Sequence, residues 1–149
     1  KGDPAMTPTL YDEKTFYSAF IRDLDSAQSE VIIESPFITT ERMKTLWPVL
    51  NGLDKRGVKV YIFTRDPAEH SGKYEVQPEV EIEALEATNI QVLLCKGNHH
   101  RKLAIIDRKT LWEGSLNILS QIRSREIMRR LEGSYAQDMF DYLNLGRFL

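Results

Sequence analysis

Two hydrophobic patterns take turns along the chain. In YDEKTFYSAFIRDLDSAQ, Phe16, Phe20, Ile21 and Leu24 recur at helical spacing. They predict an amphipathic helix over roughly residues 12 to 27, with Asp12 as its N-cap. EVIIESPFI is a short unbroken apolar run and predicts a buried strand. TTERMKTLWPVLNGLDKRG opens on a threonine cap, carries Glu41 in its first turn and closes at Gly57 after Lys55-Arg56. It predicts a helix that Pro48 kinks or divides. VKVYIFTR alternates and is β-branched, which predicts a second strand. Strand, helix and strand with short joints form a βαβ unit with parallel strands.

The pattern continues through DPAEHSGKYEVQ, a polar loop, and PEVEIEALEATN, a helix with Pro78 in its first turn and Asn89 past its end. IQVLLCKG predicts a third strand. RKLAIID and TLWEG predict a hairpin around Asp107-Arg108-Lys109, SLNILS turns away from the sheet, and REIMRRLEG predicts a further strand. SYAQDMFDYLNLGRFL closes as a helix, with Tyr135, Met139, Tyr142 and Leu143 on one face. No internal repeat interrupts this order. The predicted class is α/β: a mixed, largely parallel β-sheet flanked by helices on both faces.

Composition narrows the picture. The 149 residues fit one domain, taken as 7–149, with the opening KGDPAM (1–6) reading as an expression-tag remnant and the domain as a piece of a longer protein. Hydrophobic content of 42% and charged content of 28% exclude a disordered chain. The single cysteine, Cys95, excludes an internal disulfide and a cysteine zinc cluster, and its setting in IQVLLCKG reads as a buried inert thiol. No apolar run approaches the ~20 residues that span a bilayer, and no secretory leader opens the chain, so the expected location is cytoplasmic. Charge is divided unevenly. Residues 1–95 hold 10 basic and 16 acidic side chains, a net −6, whereas residues 96–149 hold 10 and 6, a net +4. That excess fits a basic surface around an anionic substrate or solvated arginines, and charge alone leaves both open. Arg123, Arg125 and Arg129 would share one strand face and Arg130 the other, as a phosphate track or as a solvated face.

The chemistry-bearing residues gather in GNHHRKLAIIDRKTLWEGSLN. His100 and Lys102 are two apart and point to one face, as do Ser115 and Asn117 after the next strand. If those strands pair, one patch collects an imidazole, an ammonium, a hydroxyl and a carboxamide. A phosphodiester calls for that set: a point charge and neutral donors for the non-bridging oxygens, and a histidine as nucleophile or proton donor. Gly114 would let backbone approach the phosphate. His99 points to the opposite face and is expected to have no catalytic role. Adjacent histidines diverge on a strand and no carboxylate pattern completes a site, so neither metal nor other cofactor is expected.

The spacing of His100, Lys102, Asp107, Gly114, Ser115 and Asn117 resembles the HKD motif of the phospholipase D superfamily at every interval. The order of elements over residues 10 to 145 is similar to that of its single-motif members. The resemblance implies metal-independent phosphodiester transfer through a phosphohistidine. It makes His100, Lys102, Asp107, Ser115 and Asn117 the catalytic set, with Asp107 orienting its surroundings, and His100, Lys102, Gly114, Ser115 and Asn117 the phosphate contacts. Glu126 lies where relatives keep a glutamate that orients the histidine. No second His-x-Lys occurs, since His70 is followed by Ser71 and Gly72. A site built from two motifs then implies a two-fold homodimer bringing two copies of His100 together. The expectation is a nuclease, acting on DNA rather than RNA and joined to other domains of a parent protein. Two readings stand beside it. One is a lipid phosphodiesterase or phosphatidyltransferase entered past Phe37, Ile38, Leu46 and Trp47. The other is a non-catalytic module for nucleic-acid binding or dimerisation.

Overall fold

Val31, Ile32 and Ile33 are all fully buried, which only a strand covered on both faces allows. In the computed structural model, which describes residues 8–69, 76–121 and 123–149 (backbone alone for 76–78), this strand lies inside a seven-stranded sheet. The strands are β1 (Thr9–Asp12), β2 (Glu30–Glu34), β3 (Lys59–Arg65), β4 (Gln91–Cys95), β5 (Leu103–Ile106), β6 (Thr110–Gly114) and β7 (Ile127–Glu132). Their order across the sheet is β1-β7-β6-β5-β2-β3-β4. The helices are α1 (Phe16–Ser26), α2 (Thr40–Lys55), α3 (Val76–Glu86) and α4 (Ser134–Tyr142), with short 3-10 turns at Pro67–Glu69 and Leu145–Phe148.

Strand alternation sorts the core into two layers. Val31 and Ile33, Val60 and Ile62, Ala104 and Ile106, and Trp112 face α1, α2 and α3. Ile32, Tyr61 and Phe63, Leu103 and Ile105, and Leu111 face α4 and Leu145. Helices therefore cover both faces, as the α/β pattern requires. The parallel share is smaller than expected. β2, β3 and β4 run parallel through their helical crossovers, but β2–β5, β5–β6, β6–β7 and β7–β1 are antiparallel. In that half β5 and β6 form a hairpin, residues 115–126 join β6 to β7, and β2–β5 and β7–β1 pair strands distant in sequence.

Three local readings also change. The predicted helix from residue 12 starts at Phe16, and Thr9–Asp12 pairs with β7 as an edge strand. Asp12 Oδ1 accepts from the N–H groups of Lys14 and Thr15 at 2.9 and 3.1 Å, so it closes the strand-to-helix turn rather than capping the helix. Pro48 does not divide α2, because its missing N–H would have met Lys44 on the exposed side, where water can serve that carbonyl. On α4 the packed residues are Ala136, Met139, Phe140 and Leu143, whereas Tyr142 is 86% exposed and Tyr135 41%. Residues 1–6, His70 and the middle of the 66–77 loop lie outside the described residues.

Candidate active site

The segment between β4 and β5 brings His99, His100, Arg101 and Lys102 to the carboxyl ends of β2, β3 and β4, where open α/β sheets place their ligands. His100 is exposed, with its ring edge-on to Phe37 at 6.5 Å between centroids. Lys102 turns its Nζ back to donate to the His100 carbonyl at 2.8 Å. Its own carbonyl accepts from Gly114 N–H at 3.3 Å, which ties the His-x-Lys segment to the end of β6.

β7 leaves no room for a side chain at Gly114. A Cβ there would lie 2.2 Å from the Ile127 carbonyl oxygen and 2.9 Å from Met128 Cα. Ser115 continues the join: Ile127 N–H donates to its Oγ at 3.0 Å, and its own N–H donates to the Ile127 carbonyl at 3.0 Å. Glu126 is the residue before. Its N–H donates to Glu13 Oε1 at 2.8 Å, and Ser124 Oγ donates to its Oε2. Hydrogen bonds thus link Lys102, Gly114 and Ser115 to each other and to the strand that Glu126 precedes.

Asn117 sits in a loop pinned from two sides. Leu119 N–H donates to Ser35 Oγ at 3.0 Å, Gln121 N–H donates to Thr39 Oγ1 at 2.9 Å, and Tyr17 O–H donates to the Ile118 carbonyl at 2.6 Å. Burial, only partly offset by Arg42, pushes the Tyr17 phenol up and keeps it a donor. Asn117 Oδ1 and Ser120 Oγ are shielded from solvent and have no hydrogen-bond partner among the described residues. Such orphans cost folding free energy and gather where function requires them.

Asp107 stands apart from this patch. It takes φ 54° in the three-residue β5–β6 turn, where Arg108 takes 53°. Its carboxylate accepts from the N–H groups of Gln28, Ser29 and Glu30 at 2.9, 2.8 and 3.0 Å and from Ser29 Oγ at 2.9 Å. Burial acts to raise its pKa, but these donors outweigh burial and hold it below the ordinary range. The four residues of β5 separate it from Lys102, five steps or about 16 Å at the usual rise. The aspartate of the motif clamps the start of β2.

Glu34 and Arg101 were not singled out by the sequence, and His99 was expected to have no catalytic role. Glu34 is fully buried at the end of β2. Arg101 meets it through Nε–Oε1 at 2.8 Å and Nη2–Oε2 at 3.3 Å. His99 Nε2 lies 3.2 Å from Oε1, off the line of a hydrogen bond. Burial pushes the Glu34 carboxyl up, but His99 and Arg101 together hold it below its ordinary value. Cys95 is half-buried rather than buried, and burial and then the Glu34 charge raise its thiol, which keeps it protonated. A cleft of about 710 Å³ runs beside His99, His100 and Arg101, with Phe63, Arg147 and Phe148 on its far wall. Of the four arginines, Arg129 pairs with Glu113 and Arg130 with Asp23 and Glu132. Arg123 and Arg125 instead line a second cleft, of about 530 Å³, with Arg42 and Glu126. Among the described residues, no three His, Cys, Asp or Glu side chains come together as metal ligands do.

A family model described as cardiolipin synthase, PLD-like domain, matches residues 20–135. The chain belongs to the phospholipase D-like family. Its fold is similar to NucT from Helicobacter pylori (TM-score 0.69, 22% identity, 91% of this chain and 96% of that one). It is also similar to Nuc from Salmonella typhimurium, described as a phospholipase D family member (0.64, 20%, 91% of both chains). A further fold match is TrmBL2, described as an archaeal chromatin protein with a novel mode of DNA binding (0.61, 14%, 97% of this chain and 53% of that one). No curated protein matches the sequence. By this membership the chain is part of a phosphodiesterase superfamily. No helix among the described residues is long and apolar enough to cross a membrane.

Proposed function

We propose that the protein is a metal-independent nuclease that cleaves DNA through a phosphohistidine in a two-fold dimer. The observation that carries this reading is an exposed His100 beside a rigid Lys102–Gly114–Ser115 clasp at the carboxyl edge of the sheet. His100 attacks phosphorus as the P–O bond to the leaving group breaks. The partner's His100, as imidazolium, gives its proton to the leaving alkoxide. Water then attacks the phosphohistidine, loses its proton to the partner's His100, and frees the imidazole. Imidazoles suit acid and base work near neutral pH. Lys102 swings from the His100 carbonyl to the phosphate oxygens, and Ser115 and Asn117 add neutral donors to the charge that develops on them.

A nucleic acid is favoured as substrate because Arg123 and Arg125 line a cleft with Arg42 next to Glu126, and because one protein that shares the fold is described as binding DNA. The description of the matching family model favours a lipid phosphodiester as the second reading. Its apolar entrance weakens it: Ile38 and Leu46 are core residues, and Trp47 is half-buried against that core. The test is incubation in EDTA with single-stranded DNA, duplex DNA, RNA and cardiolipin vesicles, with sedimentation of the same sample. DNA cleavage by a dimer, lost in His100→Ala, is expected. Cleavage of vesicles alone, a fully active monomer, or unchanged cleavage by His100→Ala would overturn it.

A further inference from the structure

Residues 99–102 belong to no strand, yet they carry the proposed nucleophile. What orders them is side-chain chemistry. Glu69 accepts from the N–H groups of Gly97 and Asn98 at 2.8 and 3.3 Å at one end of the segment. Gly114 N–H holds the Lys102 carbonyl at the other. Between these ends, His99 and Arg101 both reach the buried Glu34 carboxylate, at 3.2 and 2.8 Å. His100 stands between them, and backbone alternation turns it the other way, toward Phe37.

We propose that Glu34 is the positioning residue for His100, a claim that rests on reading His100 as the nucleophile. By gripping the residue on each side, Glu34 fixes the backbone of His100 and the direction of its ring before substrate arrives. Stability alone is a weak reason for a charge at position 34. The site follows Val31, Ile32 and Ile33 in a central strand and pairs with Leu103, where an apolar side chain would suit the layer. Buried ion pairs are a weak source of stability, and apolar replacements of similar volume often do as well. A carboxylate that reaches the side chains of both flanking residues is what an exposed, strandless histidine needs to stay aimed. Misplacing a reacting group by about 1 Å costs on the order of 10²-fold in rate.

The test uses the whole chain with Glu34→Gln, Glu34→Asp and Arg101→Gln, the last breaking the same grip through a half-exposed side chain that the fold tolerates. The first readout is the ¹³C relaxation of the His100 ring without substrate. Glu34→Gln and Arg101→Gln are expected to loosen that ring while the core methyl signals stay in place. The second is turnover of bis(p-nitrophenyl) phosphate in EDTA. We expect kcat to fall about 10- to 100-fold with KM changed less than about threefold, and Glu34→Asp to recover part of the loss. A folded Glu34→Gln, or Arg101→Gln should Glu34→Gln not fold, with an unchanged ring order and kcat within twofold of wild type overturns the proposal. An inert wild type would overturn the phosphodiesterase reading instead, and the ring relaxation would still decide whether Glu34 positions His100.

Discussion

Replacing Asp107 separates the motif's architecture from its chemistry. In Asp107→Ala, the N–H groups of Gln28, Ser29 and Glu30 and the Ser29 hydroxyl lose their shared acceptor. Hydrogen bonds to a charged group contribute about 1.5–3 kcal/mol each when water is excluded. Gln28 and Ser29 are exposed, so water recovers much of this, and about 2–3 kcal/mol in total is a fair loss. Alanine must also adopt the left-handed backbone at φ 54°, which costs about 1–2 kcal/mol. Together these give about 4 kcal/mol, or a fall in Tm of roughly 12 °C for a chain of this size. Asp107→Asn tolerates that backbone and keeps one acceptor oxygen, so it should lose about half as much. The assay is thermal and urea unfolding of each variant beside turnover per folded molecule. Large stability losses with turnover within about threefold of wild type are predicted. A variant with wild-type Tm and turnover reduced 100-fold would refute the argument and put Asp107 in the chemistry.

Other outcomes follow from the same contacts. Gly114→Ala drives a Cβ to 2.2 Å from the Ile127 carbonyl oxygen, so β6 and β7 must part; a loss of about 3 kcal/mol or more is expected in urea unfolding. Ser35→Ala removes the acceptor for Leu119 N–H while sparing the motif itself; a loss of about 1–2 kcal/mol with a more mobile Asn117 is expected by amide exchange and turnover. Glu34 has a folded pKa below its unfolded value near ~4.3, so its contribution is complete above that pH and is lost as pH falls through the lower, folded value. The urea midpoint should therefore drop below about pH 4, and Glu34→Gln should flatten that drop.

How much of this was legible depends on the range of the interactions. The six-residue spacing from His100 to Asn117 and the helical and strand periods are local, and they led to the α/β architecture and to the family. Alternation also placed His99 and His100 on opposite sides, as the Glu34 and Phe37 contacts reflect. His99 was nonetheless dismissed, because its partner lies 65 positions away and no local pattern joins Glu34 to residues 99–101. β1 was missed because four residues at an edge, with Leu10 63% exposed, carry too little alternation to outweigh the helix that follows. Tyr135 and Tyr142 misled for a related reason. α4 packs through Ala136 and Phe140, and a small alanine marks a packed face less loudly than a tyrosine marks an exposed one.

The account stands on His100 forming a bond to phosphorus. The direct measurement is rapid mixing of the protein with end-labelled DNA in EDTA, followed by an alkaline denaturing quench, in which phosphohistidine survives. The account predicts label held covalently by the wild-type chain at His100, appearing before product and decaying as product forms, and none on His100→Ala. Product accumulating with no labelled protein at any mixing time, or label held equally by His100→Ala, would contradict it.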